Sequence, residues 1–419
     1  MTAYTKSTNF ATKDTLTSGD PLKIVKGTEI NTEFDNIATA VNSKSDTASP
    51  TFTGTVTIPL LSYAGTTLSA AVTGTGKMVL DTSPTLVTPA LGTPASGILT
   101  NCTGVQYTGF KNRIINGAMV LDQRNAAASQ TFTAAAALAY SVDRWYGYCT
   151  GANVTGQQVA GSTTPTNTQF RYKFTGAASV TAVGFGQRIE QKNSYDLAGS
   201  TCTLSADLAI SATLTTVTWT AYYATTTADT FGSLASPTVT QIATGTFTVS
   251  ATVTNFTTNI SVPVAATTGI QILFTVGALT AGLTWTVGNV QLEKGSTATS
   301  FDYRPYGTEL QLCQRYYEST AFPSASFSLT TMVTGVITGS VGTATGRSFA
   351  VAKRAAPTVV LYSRNNTANA VSLTATGSDV AGTSTASSPT ITGFASISLG
   401  AIGTAAAGLE SGYTASAEL

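Results

Sequence analysis

The side chains with which this sequence could catalyse a reaction are almost all carboxylates. None of the 419 residues is a histidine, which excludes Ser-His and Cys-His nucleophiles and imidazole metal sites. The sequence also lacks a GxxxxGK[ST] loop for phosphates. What remains is hydrolysis of a glycosidic bond by two carboxylates, one acting as acid and the other as base or nucleophile. The candidates are Asp122, Asp143, Glu190, Glu293 and Asp302.

The same carboxylates also have a structural interpretation. Asp122 and Asp143 lie beside apolar runs, as do Arg124 and Arg144, and charges in such places form ion pairs and hydrogen bonds that fix strand ends. Paired charges are more often structural than catalytic. Spacing along the chain does not show that any two carboxylates face each other. We therefore predict that the protein is not an enzyme and uses no cofactor.

Cysteines and aromatic residues supply the other candidates. The four cysteines lack CxxC spacing, which argues against a disulfide framework or a zinc site. We predict buried free thiols at Cys102, Cys149, Cys202 and Cys313.

Trp145 is followed by Tyr146 and Tyr148, which could form a platform for stacking sugars. A large aromatic residue in a strand usually packs in the core instead. We predict a core position for Trp145, and both interpretations stay open for the two tyrosines.

The composition excludes further classes of protein. Charged residues make up 10% of the chain and the net charge is +1, against roughly 25% charged residues in ordinary soluble proteins. So few charges favour self-assembly over a monomer. No basic patch is present, so we predict no nucleic-acid binding. The sequence has no run of about 18 apolar residues and no signal peptide, so we predict no membrane insertion and synthesis in a cytoplasm.

Residues 1–46 contain one predicted helix, Glu29 to Ser43, with Thr28 as its N-cap. Its apolar positions, spaced four, three and four residues apart, form a narrow coiled-coil seam. A helix of about fifteen residues is marginal alone in water, so this seam needs partner helices. The seam residues, three of them β-branched, predict a trimer: Ile30, Phe34, Ile37 and Val41.

Residues 47–107 are rich in Thr, Gly and Pro, with apolar residues alternating with Thr from Thr51 to Leu60. Such one-sided strands cannot build a core singly, so we predict a β-rich shaft in which three chains intertwine. The alternative is a disordered linker of low complexity.

The rest of the chain is patterned as antiparallel β structure, which predicts a jelly-roll or β-sandwich domain over residues 108–305 and a distal β domain over 306–419. Asn116-Gly117 between apolar pairs predicts a hairpin. Glu309 to Ser319 is compatible with a strand or a short helix. The clearest predicted strands are Phe170–Phe174, Val217–Tyr223, Ile270–Val276, Leu283–Val287, Thr358–Tyr362 and Ala395–Leu399.

Two motifs resemble the adhesive domain of tail fibres and other receptor-binding proteins of tailed bacteriophages. They are FKNRIINGAMVLDQRN (110–125), followed by YSVDRWYGY (140–148), and VQLEKGSTATSFDYRPYGTELQLCQRYYE (290–318). Residues 1–46 also resemble the attachment segment of phage fibres. The shafts of these fibres are similar to TSPTLVTPALGTPASGILTNCTG (82–104). Their distal domain is similar to VAKRAAPTVVLYSRNNTANAV (351–371) together with GYTASAEL (412–419).

The resemblance implies a mainly β, homotrimeric fibre on a virion: a short coiled-coil helix, an intertwined shaft, a jelly-roll domain with a carbohydrate-binding character, and a distal β-sandwich tip. Its N-terminus would attach to a tail, adaptor or neck protein, and its partner on the host would be a surface polysaccharide or another receptor. Two alternatives stay open: a tailspike-like depolymerase using paired carboxylates, and a purely structural fibre or decoration of the head or neck.

The predicted host contact is an exposed turn after an apolar strand, where loops on a rigid scaffold carry function. It offers an aromatic ring, a guanidinium group and two amides, all of which suit sugars. The alternative is an ordinary hairpin turn whose tyrosine packs inward. The predicted residues are Tyr362, Arg364, Asn365 and Asn366.

Overall fold

A computed structural model describes residues 3–44, 61–63, 66–68, 110–161, 169–211, 213–320, 332–333, 335–338, 341–374, 376–380, 382–399 and 409–419. The chain is mainly β, as predicted, and divides into two compact units, Met1–Leu99 and Thr100–Leu419. Most of the predicted shaft, with Cys102, lies outside the described residues.

The first unit is built around one long helix. It contains α1 (Phe10–Asp14), a 3-10 turn (Pro21–Lys23), α2 (Gly27–Asn42) and a small hairpin of β1 (Leu61–Tyr63) with β2 (Thr66–Leu68). The predicted helix is confirmed, but its predicted N-cap is wrong. The N-cap is Lys26, which has an extended backbone. Its N–H donates a hydrogen bond to the side-chain carboxylate of Glu29 at 2.9 Å, so this carboxylate caps the helix.

The second unit begins with a sandwich of two six-stranded antiparallel sheets. The first sheet has the order β11-β10-β13-β8-β5-β4 and the second β12-β9-β14-β7-β6-β3. A short helix, α3 (Gln191–Ser194), follows β8. The strands are β3 (Gln130–Phe132), β4 (Ala139–Tyr140), β5 (Trp145–Thr150), β6 (Val154–Ala160), β7 (Phe170–Thr175), β8 (Ala182–Ile189), β9 (Thr201–Ile210), β10 (Thr216–Ala224), β11 (Val239–Thr248), β12 (Thr254–Ser261), β13 (Ile270–Val276) and β14 (Thr284–Lys294).

Aromatic rings from both sheets fill the space between them. Phe185 of the first sheet stacks on Trp145 at 4.8 Å between ring centroids and on Tyr172 of the second sheet at 4.9 Å. Phe174 stacks on Trp285 at 5.3 Å within the second sheet. The predicted core position of Trp145 is confirmed, since its side chain is fully buried. Burial of rings this large stabilises the sandwich by roughly 2–3 kcal/mol for each.

The Asn116-Gly117 pair forms a turn, but the predicted hairpin is wrong, because no strand flanks the turn on either side. Asn116 has a φ of 54° and is buried. Its side-chain amide donates to the carbonyls of Leu121 (2.8 Å) and Asp143 (3.0 Å), and its side-chain oxygen accepts from the Leu121 N–H. The Asn116 side chain therefore forms hydrogen bonds with nearby backbone groups that are not paired within a β-sheet.

The C-terminal part of this unit is a second, smaller β domain with its own apolar core. Its sheets have the orders β15-β24-β19, β16-β23-β20 and β17-β18-β22-β21, around a core that includes Phe349, Phe394 and Tyr413. The elements are α4 (Tyr306–Gln314), β15 (Tyr317–Ser319), β16 (Met332–Val333), β17 (Gly335–Thr338), β18 (Val341–Ser348), β19 (Thr358–Tyr362), β20 (Ser372–Leu373), β21 (Thr385–Pro389), β22 (Gly393–Ser398), β23 (Leu409–Glu410) and β24 (Gly412–Ser416).

Each of the six clearest predicted strands appears in the structure, whereas the alternating run from Thr51 to Leu60 lies outside the described residues. The segment from Glu309 to Ser319 contains both predicted elements, a helix end and a strand. Cys149, Cys202 and Cys313 are buried free thiols, as predicted. Among the described residues, no helix combines the length and apolar character needed to cross a bilayer. Within the same ranges, no cluster of three or more Cys, Asp or Glu residues is arranged to hold a metal ion.

Candidate functional site

An open cavity of about 210 Å³ lies on the first sheet of the sandwich, and we call it the tyrosine cavity. Three tyrosines from β5 and β10 line it, together with one arginine from β8 and one glutamine from β13. The lining residues are Leu138, Tyr146, Tyr148, Arg188, Tyr222, Phe231, Ser233, Leu234, Pro237, Val239, Gln271 and Leu273.

Strand alternation places these side chains on the face of the sheet that points away from the core. Successive side chains of a strand point to opposite faces. In β5, Trp145 and Cys149 belong to the core, so Tyr146 and Tyr148 project to the other side. In β13, Ile270 and Ile272 likewise belong to the core, and the intervening Gln271 reaches the cavity.

Two glycines of β8 make room for the tyrosine rings. Gly184 pairs with Tyr148 across the sheet, and Gly186 pairs with Tyr146. A Cβ at Gly184 would stand 2.1 Å from the Tyr148 ring, and one at Gly186 would stand 2.5 Å from the Tyr146 hydroxyl. The rings therefore cover bare strand backbone, an arrangement in which an aromatic residue protects a glycine in a neighbouring strand.

Arg188 is held in one orientation beside the rings. Its Nε donates to the Gln271 side-chain oxygen at 3.1 Å, and its Nη2 donates to the Gly232 carbonyl at 2.8 Å. The guanidinium carbon lies 5.5 Å from the Tyr146 ring centroid and 5.3 Å from that of Phe231. A fixed planar donor next to aromatic faces is pre-organised for hydroxyl or carboxylate oxygens.

The phenol groups of Tyr146 and Tyr148 stay protonated at physiological pH. Burial raises the pKa of Tyr146 and of Tyr148 above the ordinary value for tyrosine. A neutral phenol both donates and accepts hydrogen bonds. None of the described lining residues is a carboxylate, and the cavity offers aromatic faces and hydrogen-bonding groups.

Of these residues, the sequence pattern singled out only Tyr146 and Tyr148. Tyr222, Arg188 and Gln271 were missed because strand pairing brings them together, with Gln271 opposite both other residues in neighbouring strands. The alternation of polar and apolar residues in β10 and β13 was the sequence signal that could have placed Tyr222 and Gln271 on the outer face of the sheet.

Three of the candidate catalytic carboxylates serve structural contacts in the sandwich. Asp122 accepts the N–H groups of Asn125 (3.0 Å) and Ala127 (2.8 Å) within one turn. Glu293 accepts the Thr299 N–H at 2.9 Å. Asp302 accepts the Asn112 N–H at 3.3 Å.

The other two candidates, like Glu293, are buried. Asp143 accepts the Gln123 side-chain amide at 2.6 Å, and burial raises the pKa of Asp143 to about 7. Glu190 binds Arg315 at 2.8 Å and the Tyr316 hydroxyl at 2.9 Å.

The predicted ion pairs of Arg124 and Arg144 also form. Both arginines bind Glu418, which lies far along the chain from either of them. These contacts support the structural interpretation of the two arginines.

The predicted host-contact loop is a tight turn held by its own side chains. Ser363 is buried and its hydroxyl accepts the Asn365 and Thr367 N–H groups. The Asn365 amide donates to Asp379 at 2.9 Å, and Arg364, about half exposed, pairs with Glu410 at 3.3 Å. Asn366 has a φ of 61°. Arg364 is thus accessible, and the assignment of this loop to host contact stays a prediction.

The predicted trimer seam lies on an exposed face of α2. The N-terminal segment covers the neighbouring flank instead, because Glu33 accepts hydrogen bonds from the Tyr4 hydroxyl (2.6 Å) and the Ser7 N–H (2.7 Å). The exposed fractions of the seam side chains are 42% for Ile30, 64% for Phe34, 39% for Ile37 and 60% for Val41.

No protein-family model and no curated protein sequence matches the chain. Among solved structures, the chain is similar to the enzymatically active domain of tailspike protein 4 from bacteriophage CBA120, with 16% identity and a TM-score of 0.29. That match covers 44% of this chain and 22% of the tailspike chain.

A CBM4 structure has 16% identity and a TM-score of 0.27, over 43% of this chain and 98% of that one. TmCBM61, solved with β-1,4-galactotriose, has 10% identity and a TM-score of 0.25, over 36% and 88%. Similarity this low carries no conclusion about function.

Proposed function

We propose that the protein is a host-binding fibre of a tailed bacteriophage and that its tyrosine cavity binds a glycan of the host surface. The observation that carries the proposal is the lining of the cavity. Tyr148 and Tyr222, both partly exposed, offer aromatic surface, and Arg188 and Gln271 offer oriented polar groups beside the buried Tyr146 ring. Saccharide sites combine these two elements, since sugars present apolar ring faces and a rim of hydroxyl groups.

Binding without hydrolysis is the activity we propose. Most glycosidases cleave the glycosidic bond with two carboxylates, one on either side of it. The described lining of the cavity has none, and the five candidate carboxylates make structural contacts elsewhere. The sequence motifs that resemble phage fibres support a fibre on the virion, attached by residues 1–46 and trimeric through the α2 seam and the shaft.

The direct test removes two rings from the cavity. The double variant Tyr148→Ala, Tyr222→Ala is compared with Tyr195→Ala, which removes an exposed ring outside the cavity. Isothermal titration calorimetry with gluco-, galacto- and manno-oligosaccharides of about three to six residues gives the affinities. We expect a loss of tenfold to about a hundredfold for the double variant, because each ring contributes about 1 kcal/mol or more, and no change for Tyr195→Ala.

The outcome also separates the alternatives. Unchanged affinity and phage adsorption in the double variant would contradict the assignment to the cavity and move the search to the loop at Arg364. Release of reducing ends from host polysaccharide by the wild-type protein would favour a depolymerase. Failure of the wild-type protein to bind any saccharide or any host cell would favour a structural head or neck fibre.

A further inference from the structure

A short segment after β24, residues 417–419, reaches from the second β domain to Arg188, which lines the tyrosine cavity. The main-chain oxygen of Leu419 accepts a hydrogen bond from Nη1 of Arg188 at 2.8 Å and another from the Tyr140 hydroxyl at 2.7 Å. The Tyr140 ring contacts the Tyr146 ring edge to face, with centroids 6.2 Å apart. One oxygen atom therefore orients two groups that both touch Tyr146.

Glu418 fixes this segment in place. Its carboxylate binds Arg124 at 2.9 Å through one oxygen and Arg144 through the other. Arg144 is almost fully buried and its guanidinium lies 3.5 Å from the Tyr316 ring centroid. Arg354 adds a hydrogen bond to the Ala417 carbonyl at 2.7 Å.

We propose that residues 417–419 position the tyrosine cavity, with Glu418 as the anchor and the Leu419 oxygen as the group that orients Arg188 and Tyr140. This inference rests on the proposed function, because it names what controls the affinity of the same site. The segment directly continues β24, which pairs with β15 and β19. The second β domain is thereby coupled to the cavity on the sandwich.

The energetic reason lies in the buried charges. A buried ion pair that loses one partner leaves an uncompensated charge, which is strongly destabilising locally. Without the Glu418 charge, Arg124 and Arg144 have no anion in their described ion pairs, and the segment loses its anchor. Arg188 then keeps the Gln271 and Gly232 acceptors but loses the Leu419 oxygen, so two of its three hydrogen bonds remain and its guanidinium is held less firmly beside Tyr146.

The test compares two isosteric substitutions. Glu418→Gln removes the anchor charge, and Glu293→Gln makes the same change at a buried carboxylate of the second sheet that touches neither the segment nor the cavity. Calorimetry uses the oligosaccharide of the panel above that binds the wild-type protein most tightly. We expect about tenfold weaker binding for Glu418→Gln, within the usual range of coupling between sites, and wild-type affinity for Glu293→Gln.

Hydrogen exchange provides a measurement that needs no saccharide. In Glu418→Gln, amides of residues 140–148 and 231–239 should exchange faster than in the wild-type protein, while Glu293→Gln leaves them unchanged. Coupling is reciprocal, so the saturating oligosaccharide should slow exchange at residues 412–419 of the wild-type protein. Arg354→Ala, at a partly exposed residue, is the milder variant should Glu418→Gln not fold, and it should act in the same direction.

The outcomes distinguish this inference from the proposed function. Wild-type affinity together with wild-type exchange in a folded Glu418→Gln or Arg354→Ala protein would overturn the positioning role and leave the proposed function standing. A wild-type protein that binds no saccharide would overturn the proposed function, and the exchange data would then decide the positioning role alone.

Discussion

Asp143 is a buried titratable residue of the sandwich, and its protonation links the stability of the fold to pH. Its carboxyl group is fully buried and accepts hydrogen bonds from Gln123, and burial raises its pKa to about 7. An unfolded aspartate has a pKa of about 3.9. Between these two values the folded protein binds a proton that the unfolded chain does not bind, so stability falls as pH rises from about 4 to about 7.

This difference predicts that Asp143→Asn stabilises the protein at pH 8 more than at pH 5. The asparagine side chain keeps the shape of the aspartate and one acceptor oxygen, but it never carries the buried charge. The variant should therefore raise the free energy of unfolding at pH 8 by about 2–4 kcal/mol. Chemical denaturation at the two pH values measures it. Asp196→Asn, at a half-exposed carboxylate paired with Arg113, is the control, and an equal gain for both variants would contradict the prediction.

At the level of single elements, local pattern predicted α2 and the six clearest strands, but it failed for the hairpin at Asn116-Gly117 and did not identify the site. The alternation from Ile270 to Val276 predicted β13 correctly because one face of the strand is buried. The N-cap of α2 moved to Lys26 because the Glu29 side chain, not a hydroxyl, satisfies the free N–H there. Arg188 and Tyr222 became neighbours only through pairing with β13, and sequence spacing contains no record of that pairing.

The helix α2 also carries a prediction of its own. Its flank is held by Glu33, whose pKa falls to about 2 because the Ser7 and Tyr4 side chains donate hydrogen bonds to it. The seam face is left exposed. An exposed apolar seam on a short helix is the pattern of an element that is stable only with partner helices.

We therefore predict that Ile37→Asp destabilises α2, because three carboxylates would meet on one axis. Hydrogen exchange over residues 27–42 should be slow in the wild-type protein and become at least about tenfold faster in the variant, which corresponds to a loss of about 1.4 kcal/mol. Thr32→Asp, on the opposite face of the helix, should leave exchange slow. Light scattering that shows a well-folded wild-type monomer of 42.8 kDa would refute the trimer.

For the whole molecule, the proposed trimer would repeat the tyrosine cavity three times, which would strengthen weak binding to a host surface. In the proposed trimer three cavities share one fibre, so a second contact forms at high effective concentration once the first is made. Affinities in the millimolar range for one sugar are then compatible with durable adhesion. The proposed coupling through residues 417–419 would add a second effect. A contact between the distal domain and the host would change the affinity of each cavity for its glycan.

The division into Met1–Leu99 and Thr100–Leu419 predicts that attachment and host binding are separable. The sandwich and the second β domain have apolar cores of their own, whereas the described residues 3–44 bury few apolar side chains. We therefore expect a partner on the virion to stabilise residues 1–46. A variant lacking residues 1–46 should therefore remain a soluble trimer through its shaft and bind host cells as the full chain does. It should be missing from purified particles, as measured by quantitative mass spectrometry of virions. Normal incorporation of the truncated chain would show that attachment lies outside residues 1–46.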